Sequence, residues 1–139
     1  YRLSPAIAGY DFSTYSVGKY NDDLTDLYFE AFSGRYYLDV WQDTDIQDMG
    51  YTNSLHDIAL APAAGYSPSK SVEAIPGHTY VIWTWDNHYA KVRVKEVTSL
   101  RVTFDWAYQV AQAAPELKRD ADLNGARTFH PTSAVMTAK

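Results

Sequence analysis

The residues best suited to hold a metal or move a proton are four histidines, His56, His78, His88 and His130, and a scatter of aspartates. No two of the histidines stand in an HxH, HxxxH or HExxH arrangement, so a zinc site would have to assemble from distant segments. His78 and His88 flank one expected strand and its turn, which places them to approach each other as haem ligands beside an apolar pocket. Asp39, Asp43, Asp45 and Asp48 follow at short spacing. Calcium takes roughly six to eight oxygens, and loop carboxylates can converge on one ion. Asp43, Asp45 and Asp48 are therefore the calcium candidates, although no glycine sits at the sixth position and no glutamate closes an EF-hand loop. Asp22, Asp23 and Asp26 form a second, looser group.

Nucleophilic chemistry finds little footing. No GxSxG, SxxK or phosphate-cradling glycine loop occurs. His56 and Asp57 are adjacent, yet neighbours in sequence rarely point together, and no serine is placed to complete a triad. With no cysteine, disulfides, thiolate zinc sites, iron–sulfur clusters and cysteine nucleophiles are all excluded. The expectation is a protein that is not an enzyme and needs no cofactor, with calcium and haem as the candidate ligands.

Aromatic residues are the compositional outlier: 12 Tyr, 5 Phe and 4 Trp make up 15% of the chain. Trp83 and Trp85 are expected on one strand face with Val81, Trp41 ends an earlier strand, and Tyr36 and Tyr37 point to opposite faces. Large rings in a sheet serve the core, a protein interface or a platform for sugar rings. Trp41, Trp83, Trp85 and Tyr37 are the candidates for an interface or glycan surface. Lys91, Arg93 and Lys95, with Arg101 on the following strand, form a cationic stripe that reads as the wet face of a sheet.

The elements that must position these residues read as strands. Leu27 to Phe32, the dipeptide Ser33-Gly34 and Arg35 to Trp41 form an expected hairpin with a primed turn. His78 to Trp85 reads as one strand, and Tyr89 to Val97 and Leu100 to Ala107 alternate apolar and polar residues, the mark of an antiparallel meander with one buried face. Residues 42–50 are acidic, 54–60 fit a short helix or a buried strand, and 61–71 are loop by composition. Glu116 to Leu123 would make two helical turns stopped by Asn124-Gly125.

The fold class expected is all-β or mostly β: an antiparallel sandwich or open barrel with a C-terminal meander and at most one or two short helices. The 139 residues suffice for one domain. It divides into an N-terminal arm (1–12), a β domain (13–110) and a C-terminal extension (111–139). Residues 1–60 carry ten acids and three bases (−7), whereas 61–139 carry seven acids and nine bases (+2), giving the net charge of −5. An acidic chain is a poor partner for nucleic acid, and no run of about 18 apolar residues offers a membrane span.

Tyr10-Asp11-Phe12-Ser13-Thr14, then Asp26-Leu27-Tyr28-Phe29, then Arg35-Tyr36-Tyr37-Leu38 resembles the opening of HmuY-like domains, with Thr25 where that family has Trp and Tyr15 for its Gly. A second stretch, from Gly77 to Tyr108, is similar to the closing hairpin of exported bacterial β-domains. The resemblance implies an extracytoplasmic β-rich fold and, from the family's type members, haem as a ligand. The chain starts at Tyr rather than Met, as expected after a leader is removed or the chain trimmed. Low-signal segments at both ends, a tyrosine-rich surface and oppositely charged halves point to an exported structural or adhesive module. It would associate with itself or another surface protein, a terminal arm adding a strand to a neighbour, toward a filament or surface layer. The alternative is an extracytoplasmic binding module for haem or glycan.

Overall fold

The computed structural model describes residues 9–11, 16–18, 26–98, 101–109, 111–117 and 132–137, with the strands at 9–11, 16–18 and 132–137 described as backbone. Among the described residues ten strands run in chain order: β1 (Gly9–Asp11), β2 (Ser16–Gly18), β3 (Leu27–Phe32), β4 (Arg35–Asp39), β5 (Asp45–Tyr51), β6 (Ser71–Glu73), β7 (His78–Trp83), β8 (Tyr89–Val97), β9 (Arg101–Tyr108) and β10 (Thr132–Thr137). One 3₁₀ turn, Leu55–Asp57, is the sole helical element among the described residues. The strands form two antiparallel five-stranded sheets without a closed barrel, in the orders β2-β1-β3-β4-β6 and β10-β9-β8-β7-β5. This is the all-β sandwich that the alternation calls for.

Local chemistry explains the β3–β4 hairpin. Ser33 (φ 54°) and Gly34 (φ 78°) both adopt positive φ, as a two-residue type I′ turn requires. Register then follows, Phe32 opposite Arg35 and Phe29 opposite Leu38. Leu27, Phe29, Leu38 and Val40 of the first sheet face Ile46, Tyr80, Ile82, Val92, Val94, Val102, Phe104 and Trp106 of the second, all essentially buried. Tyr80 belongs to this core because its hydroxyl is satisfied, accepting from Ile75 N (2.8 Å) and donating to Glu73 O (2.6 Å).

The sheet's second face departs from the sequence reading. Lys91 and Arg93 are not on a wet surface. Residues 58–61 and 115–117 pair with each other, with Ala61 N donating to Pro115 O and Leu117 N to Ala59 O. The two segments cover the outer side of the second sheet. Val81, Tyr89 and Leu117 are buried there with Ile58, Ala61, Tyr66 and Trp83 packed around them. Lys91 is fully buried and its Nζ donates to Ile58 O at 2.8 Å. Arg93 donates to the Thr52 carbonyl and hydroxyl oxygens at 3.0 and 3.1 Å. Alternation reports which positions share a face, and the cover comes from remote segments that alternation cannot see. Lys95 and Arg101 do stay exposed, beside Asp105 and Glu96.

Three further differences follow from the same pairing logic. The acidic stretch 42–50 contains strand β5, an edge strand paired with β7. Trp85 leaves the strand and sits in the β7–β8 turn. The segments set apart as arm and extension both supply strands: β1 pairs with β3, and β10 pairs with β9 from Thr132↔Trp106 to Thr137↔Arg101. The helical turns expected over 116–123 lie mostly outside the described residues, and Glu116 itself bridges to Leu60.

Candidate functional site

His78 and His88 are far apart. His78 opens β7, whereas His88 precedes β8 and lies opposite Thr84, whose N–H donates to His88 O. An extended strand between them separates the two by roughly 20 Å at about 3.3 Å per residue. They cannot share one haem iron, because the hairpin strand lies lengthwise between them. Each has local partners. His78 Nδ1 meets both Asp48 oxygens at 2.8 and 2.9 Å, and its ring sits edge-on to Tyr51. His88 Nδ1 lies 3.0 Å from Gln109 O and its ring stacks on Tyr108.

The three calcium candidates do not form one set either: Asp43 and Asp45 line one cleft, and Asp48 lies away from it. Asp45 and Asp48 fall on opposite faces of β5 because side chains alternate along a strand. Asp48 accepts from Gly50 N and engages His78, while Asp45 accepts from Lys70 Nζ at 2.6 Å. Among the described residues no group of three His, Cys, Asp or Glu side chains gathers as a metal site. The reason is the strand itself, which an acidic composition disguised as a loop.

What the pairing of β5 with β7 does bring together is a cleft of about 330 Å³ lined by Asp43, Asp45, Trp83, Thr84, Trp85 and Asn87. Asp45 stands directly opposite Trp83 in the register, so both side chains project from the same face. Asp43 comes from the loop before β5 and Trp85 from the turn after β7. The turn is tightly built. Asn87 takes a left-handed φ of 64°, and the Thr84 hydroxyl donates to Asp86 and accepts from His88 N. Trp83 Nε1 donates to Asn87 Oδ1 at 2.8 Å. An indole N–H can only donate, so it fixes the amide orientation and makes Nδ2 the donor end of Asn87. Trp83 stacks on Tyr89 and packs against Tyr66, while Trp85 is half exposed. Two carboxylates, one amide donor and one open indole face thus converge from segments forty residues apart in sequence.

The outer face of the first sheet holds a second polar constellation. Tyr28 pairs with Asp39 and Glu30 with Tyr37, which makes Glu30 and Asp39 diagonal neighbours on one face. Asp39 is nearly fully buried and accepts from the Ser71 hydroxyl at 2.5 Å. Desolvation, then the hydrogen bond to Glu30 and its charge, raise the Asp39 pKa from 3.8 to about 8, against the lowering by Ser71. Trp41 stacks on Tyr28 with ring centroids 5.0 Å apart. Trp41 and Tyr37 therefore belong to this face, not to the cleft with Trp83 and Trp85. Neither Glu30 nor Asn87 was a candidate from sequence, since only the strand register places them beside their partners.

The sheet margins are the third feature. β10 and β5 bound the second sheet, β2 and β6 the first. β10 closes β9, whose Val102, Phe104 and Trp106 lie at the centre of the core. No helix among the described residues is long and apolar enough to cross a membrane. Compared with protein-family models, with curated proteins and with solved structures, the chain matches none.

Proposed function

We propose that the chain is a non-catalytic, exported structural module that associates with copies of itself by exchanging its C-terminal strand. One observation carries this reading. β10 is an edge strand of the second sheet, in six-residue register with β9, and residues 118–131 separate it from Leu117. Fourteen residues reach up to about 46 Å when extended, so the same strand is long-tethered enough to close the β9 edge of a neighbour. A β9 edge without its partner presents a row of unpaired N–H and C=O groups beside the core, a strong template for strand addition. The acidic first 60 residues and the mildly basic remainder favour head-to-tail contact between copies. The tyrosine and tryptophan content suits a surface built for protein contact.

Light scattering and negative-stain microscopy of the full chain, compared with a chain ending at Pro131, test the reading. The full chain is expected to form concentration-dependent oligomers or fibres. The shortened chain is expected to stay monomeric and to capture a labelled peptide spanning 126–139. A full chain that remains monomeric at high concentration, or a shortened chain that assembles equally well, refutes the exchange.

A further inference from the structure

We propose that the cleft between the loop preceding β5 and the β7–β8 turn is a carbohydrate-binding subsite, a ligand site additional to the self-association above. The chemistry of a sugar ring matches what converges there. A pyranose presents an apolar C–H face and a rim of hydroxyls that both donate and accept. Trp85, half exposed at the cleft, supplies an open indole face for the C–H side. Asp43 and Asp45 accept from hydroxyls, and Asn87, whose Oδ1 is occupied by Trp83 Nε1, donates to one through Nδ2. The cleft, at about 330 Å³, falls at the lower end of the range of small-molecule sites.

The same residues argue against the competing occupant, an organic cation. Cation recognition by rings needs several walls around the charge. Here Trp83 already has Tyr89 stacked on it and Tyr66 against it, so Trp85 offers a platform, not a cage. Lys70 Nζ, 2.6 Å from Asp45, offsets one of the two carboxylates. Two carboxylates less one ammonium leave a single negative charge among donors and acceptors, which suits a polyol whose hydroxyls donate to it. The site is also preorganised. Asp45 is held by Lys70, itself anchored on Thr44 O at 2.9 Å, and Asn87 is held by Trp83 and the turn.

The experiment is titration of the full chain with soluble cello-, laminari-, malto-, manno- and N-acetylchito-pentaose, read by tryptophan fluorescence and ligand-observed NMR. At least one is expected to bind. Trp85→Ala should weaken that binding by roughly tenfold, as expected for loss of an aromatic anchor, with Trp85→Phe intermediate. Asp43→Asn, on an exposed loop, should weaken it by several-fold, whereas Tyr37→Ala, on β4 of the other sheet, should leave it unchanged. Circular dichroism confirms that each variant is folded. No binding by any of the five sugars at millimolar concentration, binding indifferent to both Trp85→Ala and Asp43→Asn, or tetramethylammonium binding the cleft in preference to the sugars would each overturn the assignment.

Discussion

Two buried titratable groups should give this protein a stability minimum near pH 8, where most domains are close to their maximum. Folded Asp39 keeps its proton up to about pH 8, whereas an unfolded aspartate loses it near 3.8. Between those values the native state binds the extra proton, so stability falls as pH rises. Lys91 acts in the opposite sense. Desolvation lowers its ammonium from 10.5 to about 8, only partly opposed by the charge of Asp57. Between about 8 and 10.5 the unfolded chain binds the extra proton, so stability rises with pH. At about 1.4 kcal/mol per tenfold change in proton affinity, the full displacements are worth at most about 6 and 3 kcal/mol. The surroundings of Asp39 and Lys91 relax when their charge state changes, so we expect slopes totalling about 2–3 kcal/mol on each arm. Urea unfolding from pH 5 to 9.5 at constant ionic strength, followed by tryptophan fluorescence, measures both. Burial also raises the hydroxyls of Tyr66, Tyr80 and Tyr89. Their unfolded counterparts ionise near 10, which lowers stability above that pH and sets the upper limit of the scan. Asp39→Asn keeps an acceptor for Ser71 and a donor for Glu30. It should flatten the acid arm and stabilise the protein by about 2 kcal/mol at pH 8. Lys91→Met should flatten the alkaline arm. A stability maximum at pH 7–8, or an acid arm unchanged in Asp39→Asn, would refute the reasoning.

Other outcomes follow from the packing. Tyr80→Phe leaves Ile75 N and Glu73 O without their shared hydroxyl and should cost about 1–3 kcal/mol by denaturant titration. Phe104→Ala opens a cavity in the central core and should cost about 3–5 kcal/mol, with the circular dichroism of the remaining native protein unchanged. Ser33→Asn places a better left-handed residue at the first turn position of the β3–β4 hairpin and should raise the unfolding midpoint by up to about 1 kcal/mol equivalent.

The parts of the fold that were legible are those whose signal is local. Val92, Val94, Val102, Phe104 and Trp106 alternate with polar partners, and Ser33-Gly34 marks its own turn, so β3, β4, β8 and β9 can be read residue by residue. β5 was hidden because Asp45, Gln47 and Asp48 supply edge-strand polarity where hydrophobic alternation is the usual sign. Lys91 misled for a different reason. A cation at a period-2 position reads as solvated, and nothing near it in sequence announces that residues 58–61 will cover it. The cleft was half legible. Asp43, Asp45, Trp83 and Trp85 each drew attention by type, but as a metal loop and an aromatic face. Only the Asp45↔Trp83 pairing makes them one site. Glu30 and Asp39 became neighbours through the same kind of diagonal register, which sequence spacing does not encode.

Between β5 and β7, which lie side by side in the second sheet, residues 52–77 travel over the outer face and return through β6, a strand of the opposite sheet. The pairing at this edge of the second sheet therefore encloses a long excursion that must itself find two distant docking places. Such non-local closure slows the search for the native state, placing folding in the millisecond-to-second regime of high contact-order β proteins. A ribosome-bound chain would also hold an incomplete second sheet until residues 132–137 emerge, leaving the β9 margin open to whichever copy of β10 arrives first.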